Sequence, residues 1–156
     1  MKKYLSIFLF VSALCFISCS SNDDENTSEK KQWYEQMLRG YWCYEHVSET
    51  SAYYMRYELH EDFSVVRYQK TASRTGNTDE YGYTTYSPWK INSDKSRSGS
   101  WKILMDNPSF PQLLMSFDDG LTLYQNLLLY DGGYTIKFDD KEYYKYDSYD
   151  YIRPSF

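Results

Sequence analysis

The chain has 156 residues, 42% of them hydrophobic and 20% aromatic, with a formal net charge of −5. That is enough apolar material for one core and too acidic a balance for a phosphate backbone, so nucleic acid is excluded as a partner class. Nineteen tyrosines, eight phenylalanines and four tryptophans suit pleated, half-buried surfaces and point to an all-β domain.

Met1-Lys2-Lys3 is a short positive start, and residues 5–17 are an apolar run too short to span a bilayer comfortably but of signal-peptide dimensions. The small Ser18 precedes Cys19 in Phe16-Ile17-Ser18-Cys19, which resembles a bacterial lipobox. The resemblance implies that residues 1–18 are a lipoprotein signal peptide and that Cys19 is the lipidation site. Loss of Lys2 and Lys3 with the leader takes the net charge from −5 to −7. Cys15 follows Leu14 and is the poorer candidate, so Cys43 is left alone and no intramolecular disulfide is expected. Cys43 reads as a small buried or half-buried side chain rather than a reactive thiol.

Residues 19–28 are polar and acidic and read as a solvated tether. Asp23-Asp24-Glu25, close behind the cysteine, resembles the surface-export signal of Bacteroidota lipoproteins. The implied partner is a membrane, held through the N-terminal lipid. The implied location is the outer membrane, lipid-anchored and surface-exposed, with its periplasmic face as the alternative.

Residues 29–156 read as one domain. A short helix is predicted over 29–38, capped by Thr27 or Ser28 and ended by Gly40, with Trp33/Met37 and Tyr34/Leu38 as i, i+4 pairs closing one end of the domain. Strands follow. Residues 41–49 and 53–60 alternate, Trp42, Tyr44, Tyr53, Met55, Tyr57 and Leu59 opposing Cys43, Glu45, Tyr54, Arg56 and Glu58. Glu61-Asp62 turns into a strand over 64–70. Residues 71–79 and 93–99 read as polar loops, with strands at 80–86 and 89–92 interrupted by Pro88. Strands are then predicted at 100–105, 112–117, 121–130, 134–138 and 142–146, with Asp118-Asp119-Gly120 and Asp131-Gly132-Gly133 as turns. The fold class expected is all-β: about eight to ten short strands with one short N-terminal helix, in an antiparallel meander closed into a barrel or folded as a sandwich.

His46 and His60 fall on opposite strand phases, and no His/Cys/Asp/Glu spacing resembles a metal site. Asp118-Asp119 and Asp139-Asp140 are explained by turns, and Asp131-Gly132-Gly133 lacks the Lys-Ser/Thr of a phosphate loop. No enzyme, cofactor or metal is expected.

Gly40-Tyr41-Trp42 places a Gly-x-Trp after a short helix at the opening of the first strand. With the rhythm of Tyr57-Glu58-Leu59, Trp89-Lys90-Ile91 and Leu121-Thr122-Leu123, residues 33–146 resemble the lipocalin-like domains of Bacteroidota lipoproteins. The resemblance implies an up-and-down barrel whose closed end is plugged by Trp42. The family's arginine over that tryptophan has Lys145 or Arg153, or neither, as counterpart. Strand phase puts Trp42, Tyr44, Tyr57, Trp89, Trp101 and Met115 inward as candidate ligand-binding residues. Two functions follow. One is a non-enzymatic, membrane-anchored domain that binds a small apolar or amphipathic ligand, or a partner. The other is a surface interaction or adhesion module that binds glycan or protein through exposed aromatics such as Tyr81, Tyr83 and Tyr86.

Overall fold

The computed structural model describes residues 22–107, 109–138, 140–146 and 154–156. The leader with Cys19 lies outside the described residues, as do Asp139 and Arg153. Among the described residues no helix is long and apolar enough to cross a membrane.

The chain is mainly β. A helix, α1 (Asn22–Leu38), leads into eleven strands: β1 (Gly40–Val47), β2 (Ser51–Leu59), β3 (Ser64–Ser73), β4 (Gly76–Thr78), β5 (Thr84–Tyr86), β6 (Lys90–Leu104), β7 (Gln112–Phe117), β8 (Thr122–Asn126), β9 (Leu129–Tyr130), β10 (Thr135–Phe138) and β11 (Lys141–Tyr146). Nine of them form one antiparallel sheet in the order β8-β7-β6-β3-β2-β1-β11-β10-β9, and β4 and β5 form a separate hairpin. The sheet is strongly curled into a half-barrel. Its two edges, β8 and β9, follow one another in the chain, and Leu127 and Leu128 bridge them. The Leu127 amide donates to the Pro111 carbonyl (2.9 Å) and the Leu128 carbonyl accepts from the Lys137 amide (3.3 Å).

The helix starts seven residues before the expected Glu29, so the acidic stretch read as tether is helical from Asn22 onward. No glycine or proline interrupts residues 22–38, which lets the helix run back. Of its two i, i+4 pairs, Tyr34 and Leu38 face the core, while Trp33 is half-exposed and packs edge-on against Tyr34. Gly40, at φ +120°, turns the chain into β1 where expected.

The expected polar loop at 93–99 is instead the middle of β6, the longest strand. Those residues are polar because little of either face is buried there. They pair with β3 on one side, whereas β7 joins β6 only from Gly99 onward. Likewise β3 runs on to Ser73, and the single strand expected over 121–130 breaks at Leu127-Leu128. The Asp118-Asp119-Gly120 turn holds as expected: Gly120 sits at φ +87° and donates to the Phe117 carbonyl.

The concave side holds the main core: Leu38, Trp42, Met55, Tyr57, Leu59, Val65, Trp101, Ile103, Leu113, Met115, Phe117, Leu127, Ile136, Phe138 and Tyr143. Trp42 is its anchor. It is 0% exposed, its Nε1 donates to the Leu38 carbonyl at the helix end (2.6 Å), and the Lys145 ammonium lies 5.6 Å from its ring centre. Lys145 also donates to the Met37 carbonyl (2.7 Å), placing a cation at the negative end of the helix. Trp42→Ala removes this packing and leaves the Leu38 carbonyl without its indole donor. A loss of about 3–5 kcal/mol is expected, read from urea unfolding; a loss below about 1 kcal/mol rules out an anchoring role.

Candidate functional site

Five of the six predicted inward residues meet on the concave side. Trp42, Tyr57, Trp101 and Met115 are at most 3% exposed, and Tyr44 packs partly buried against them. Tyr44 and Tyr57 are joined through a third ring: each approaches Tyr143, and Tyr57 meets Phe138 edge-on.

Trp89 does not join them. It lies on the outer side, 4.3 Å from the Arg74 guanidinium and 6.0 Å from the Phe156 ring. The cause is a β-bulge. Thr71 pairs with Ser93 but Ala72 pairs with Ile91, so Asn92 is an extra residue in β6. One extra residue reverses the strand phase, and the odd-numbered residues that point inward from Ser93 to Ile103 point outward before it.

The outer face of β1–β3 carries a second, smaller cluster of Cys43 and Tyr54, flanked by Tyr41, Tyr68 and Phe156. The Tyr54 hydroxyl donates to the Cys43 Sγ (3.3 Å). Burial pushes the Cys43 thiol up, against the lowering effect of the Tyr54 hydrogen bond, and burial also pushes the Tyr54 phenol up. Arg56 pairs with Glu58 (2.5 Å) and lies over the Tyr68 ring. Burial opposes its charge, but Glu58 and Tyr54 together outweigh that and raise Arg56 above its ordinary value. A buried thiol held protonated is a packing residue.

Two further surfaces lie outside the apolar clusters. The first is the β4–β5 hairpin. Asp79 organises its tip: its Oδ1 accepts from the amides of Tyr81 and Tyr83 (both 2.9 Å), and its own amide donates to the Tyr83 carbonyl (3.0 Å). Gly82, at φ +86°, supplies the left-handed turn that places a tyrosine on either side of it. Tyr81 and Tyr83 are 78% and 73% exposed. The hairpin base is braced. Arg74 donates through Nε to the Glu49 carbonyl (2.7 Å), and its guanidinium contacts the rings of Tyr86 and Trp89. A hydrogen bond to Glu49 pushes the Tyr86 phenol up.

The second surface is the concave face of β3 and β6 beyond the core. Arg67 stands directly opposite Arg97, and Gln69 opposite Lys95. With Ser93 these residues line a cavity of about 110 Å³. Sequence reading missed this group because it took residues 93–99 as loop. The signal was the alternation of Lys95 and Arg97 with Ser96 and Ser98, which is strand phase.

Among the described residues, no group of three His, Cys, Asp or Glu side chains is placed to hold a metal ion. In comparisons with known proteins, no family model, curated protein or solved structure matches the chain.

The outer cluster gives a pH test. Cys43 and Tyr54 both have raised folded-state values, so the folded protein keeps protons that the unfolded chain releases. Their contribution is full below the ordinary cysteine value of 9.0 and is lost as pH rises through the folded values. The urea midpoint should fall as pH is raised above 9.0, and fall less in Cys43→Ala. An equal fall in both proteins means that Cys43 does not contribute to the alkaline loss.

Proposed function

We propose that the chain is an outer-membrane lipoprotein, anchored through Cys19 and displayed at the surface, whose lipocalin-like half-barrel serves as a non-enzymatic binding module. Trp42 supports the lipocalin-like reading. It opens the first strand behind a short helix, it is buried, and Lys145 covers its ring where that family places an arginine.

One observation carries the function: Tyr81 and Tyr83 project into solvent from a turn whose backbone Asp79 fixes. Aromatic side chains with a polar tip give a large contact area at low entropic cost. Residues 71–87 are rich in Thr, Tyr, Ser, Gly and Asn, a composition close to that of antibody binding loops. The partner class is a glycan or a protein surface. The deep interior favours this reading over a carrier, because an apolar ligand there has to displace Trp42, Tyr57, Trp101 and Met115 from close packing. The small-ligand reading keeps one observation in its favour, the cations at the concave end of β3 and β6.

Anchoring is tested by metabolic labelling with an alkyne fatty acid. The wild-type protein should take label and Cys19→Ser should not; persistent label on the variant removes the lipoprotein assignment.

Binding is tested with whole cells on immobilised glycans and immobilised proteins. Cells carrying the wild-type protein should bind one of these surfaces. The Tyr81→Ser/Tyr83→Ser variant, expressed at the same level, should lose about tenfold or more, as expected when paired aromatic hot spots are removed. Equal binding by the two proteins and by cells lacking the protein sinks the interaction reading.

A further inference from the structure

We propose that the concave face carries an oxyanion site in which Arg67 and Arg97, with Lys95, Gln69 and Ser93 beside them, hold a phosphate, sulfate or carboxylate group. The site is separate from the tyrosine hairpin and does not depend on it.

The register builds the group. The β3–β6 ladder sets Arg67 opposite Arg97 and Gln69 opposite Lys95. The β2–β3 ladder sets Tyr57 opposite Arg67 and Met55 opposite Gln69. Tyr57 and Met55 belong to the concave core, and directly paired residues share a face, so all three cations are on the inner side. A further cation, Lys141, lies on that face over the rings of Tyr44 and Tyr53.

The arrangement is poor as structure alone. Like charges directly opposite one another destabilise an antiparallel pair. Arg97 is relieved by Asp119, 2.6 Å away. Among the described residues Arg67 has no carboxylate partner, and its Nε is buried without a hydrogen-bond acceptor. Asp94 does not help, because it pairs with Lys70 on the outer face. A buried donor left unmade costs its desolvation.

An oxyanion offsets the repulsion: it places negative charge between the two guanidinium groups and offers acceptors to the Arg67 guanidinium. It also suits the planar fork of arginine, which binds carboxylate and phosphate oxygens in pairs. Gln69 and Ser93, which line the same cavity, add neutral donors. The cavity of about 110 Å³ is smaller than the roughly 300–1,000 Å³ of a whole-ligand pocket, so it fits a charged group rather than a complete organic ligand. The group is either a free anion or the head of a larger molecule whose remainder lies outside.

The test uses the full lipoprotein in a neutral detergent, followed by thermal unfolding at fixed pH and ionic strength. The probes are inorganic phosphate and butyrate, with chloride and butan-1-ol as controls. A saturable rise in midpoint is expected with phosphate or butyrate, and none with butan-1-ol or matched chloride. Phosphate alone points to a free or esterified phosphoryl group, and butyrate alone to a carboxylate. Arg67→Gln should weaken the effective anion about tenfold or more. Without anion it should unfold no lower than wild type, since it removes a repulsion; a purely structural arginine would lower the midpoint instead. Lys95→Gln serves as a second variant, with a smaller loss of anion affinity and no loss of fold. A midpoint that responds to neither anion, or an anion response unchanged in both variants, overturns the proposal.

Discussion

The ladder between β3 and β6 is the seam on which the half-barrel depends. In the sheet order, β7 and β8 are joined to β3 through β6. The register of this pairing therefore decides which side chains of β6, β7 and β8 face the core. Trp101, Ile103, Leu113, Met115 and Phe117 are inside because that register holds. A slip of one residue would turn Trp101 and Ile103 outward and bring Lys102 in. Gly99 marks the place where β7 begins to run alongside. A Cβ there would collide with the Ser116 carbonyl and the Phe117 backbone, so only glycine lets the two strands close at that point.

The same constraint explains the charges on the concave face. The polar half of β6 has no phase of its own to choose. Trp101 and Ile103 fix it, and Lys95 and Arg97, in step with them, are carried inward whatever their electrostatic preference. The bulge at Asn92 comes two residues beyond Asp94, too late to turn them away. On a chain with net charge −5, several inward cations beyond the core are a local departure from the average. Arg67 and Arg97 could have been spared each other by any neutral residue at either position, since neither packs in the hydrophobic core.

This division between a core-directed half and a polar half also governs what the sequence makes legible. Trp42, Tyr57, Trp101 and Met115 could be placed inside because apolar alternation is dictated by burial, which composition records directly. Cys43 was legible as a small buried or half-buried residue from its residue type alone, since it lies on the outer face, in the opposite phase to Trp42. The strand over 93–99 was not, because a strand with little of either face buried has the composition of a loop, and only its partner β3 reveals it. Trp89 was misplaced by a single inserted residue, whose effect appears only when two strands are aligned. The cation group depends on both the hidden strand and the long-range register between positions 67 and 97. Lys145 over Trp42 joins residues more than a hundred positions apart, and strand alternation alone could not separate it from Arg153.

The bulge has a second consequence, on the outer face. By turning Trp89 outward it gives Arg74 a second aromatic ring beside that of Tyr86. Trp89 in turn meets Phe156, whose carbonyl accepts from Lys70 (3.0 Å), while Ser155 donates to Glu45 through both its amide and its hydroxyl. The hairpin base, the outer face of β1–β3 and residues 155–156 are thus one connected layer. A hairpin of two three-residue strands has too little ladder to be rigid by itself. Arg74, gripped by Glu49, Tyr86 and Trp89, transfers the stiffness of the main sheet to it. Tyr81 and Tyr83 therefore stand on a braced support, which limits the conformational entropy that the backbone beneath them loses on contact.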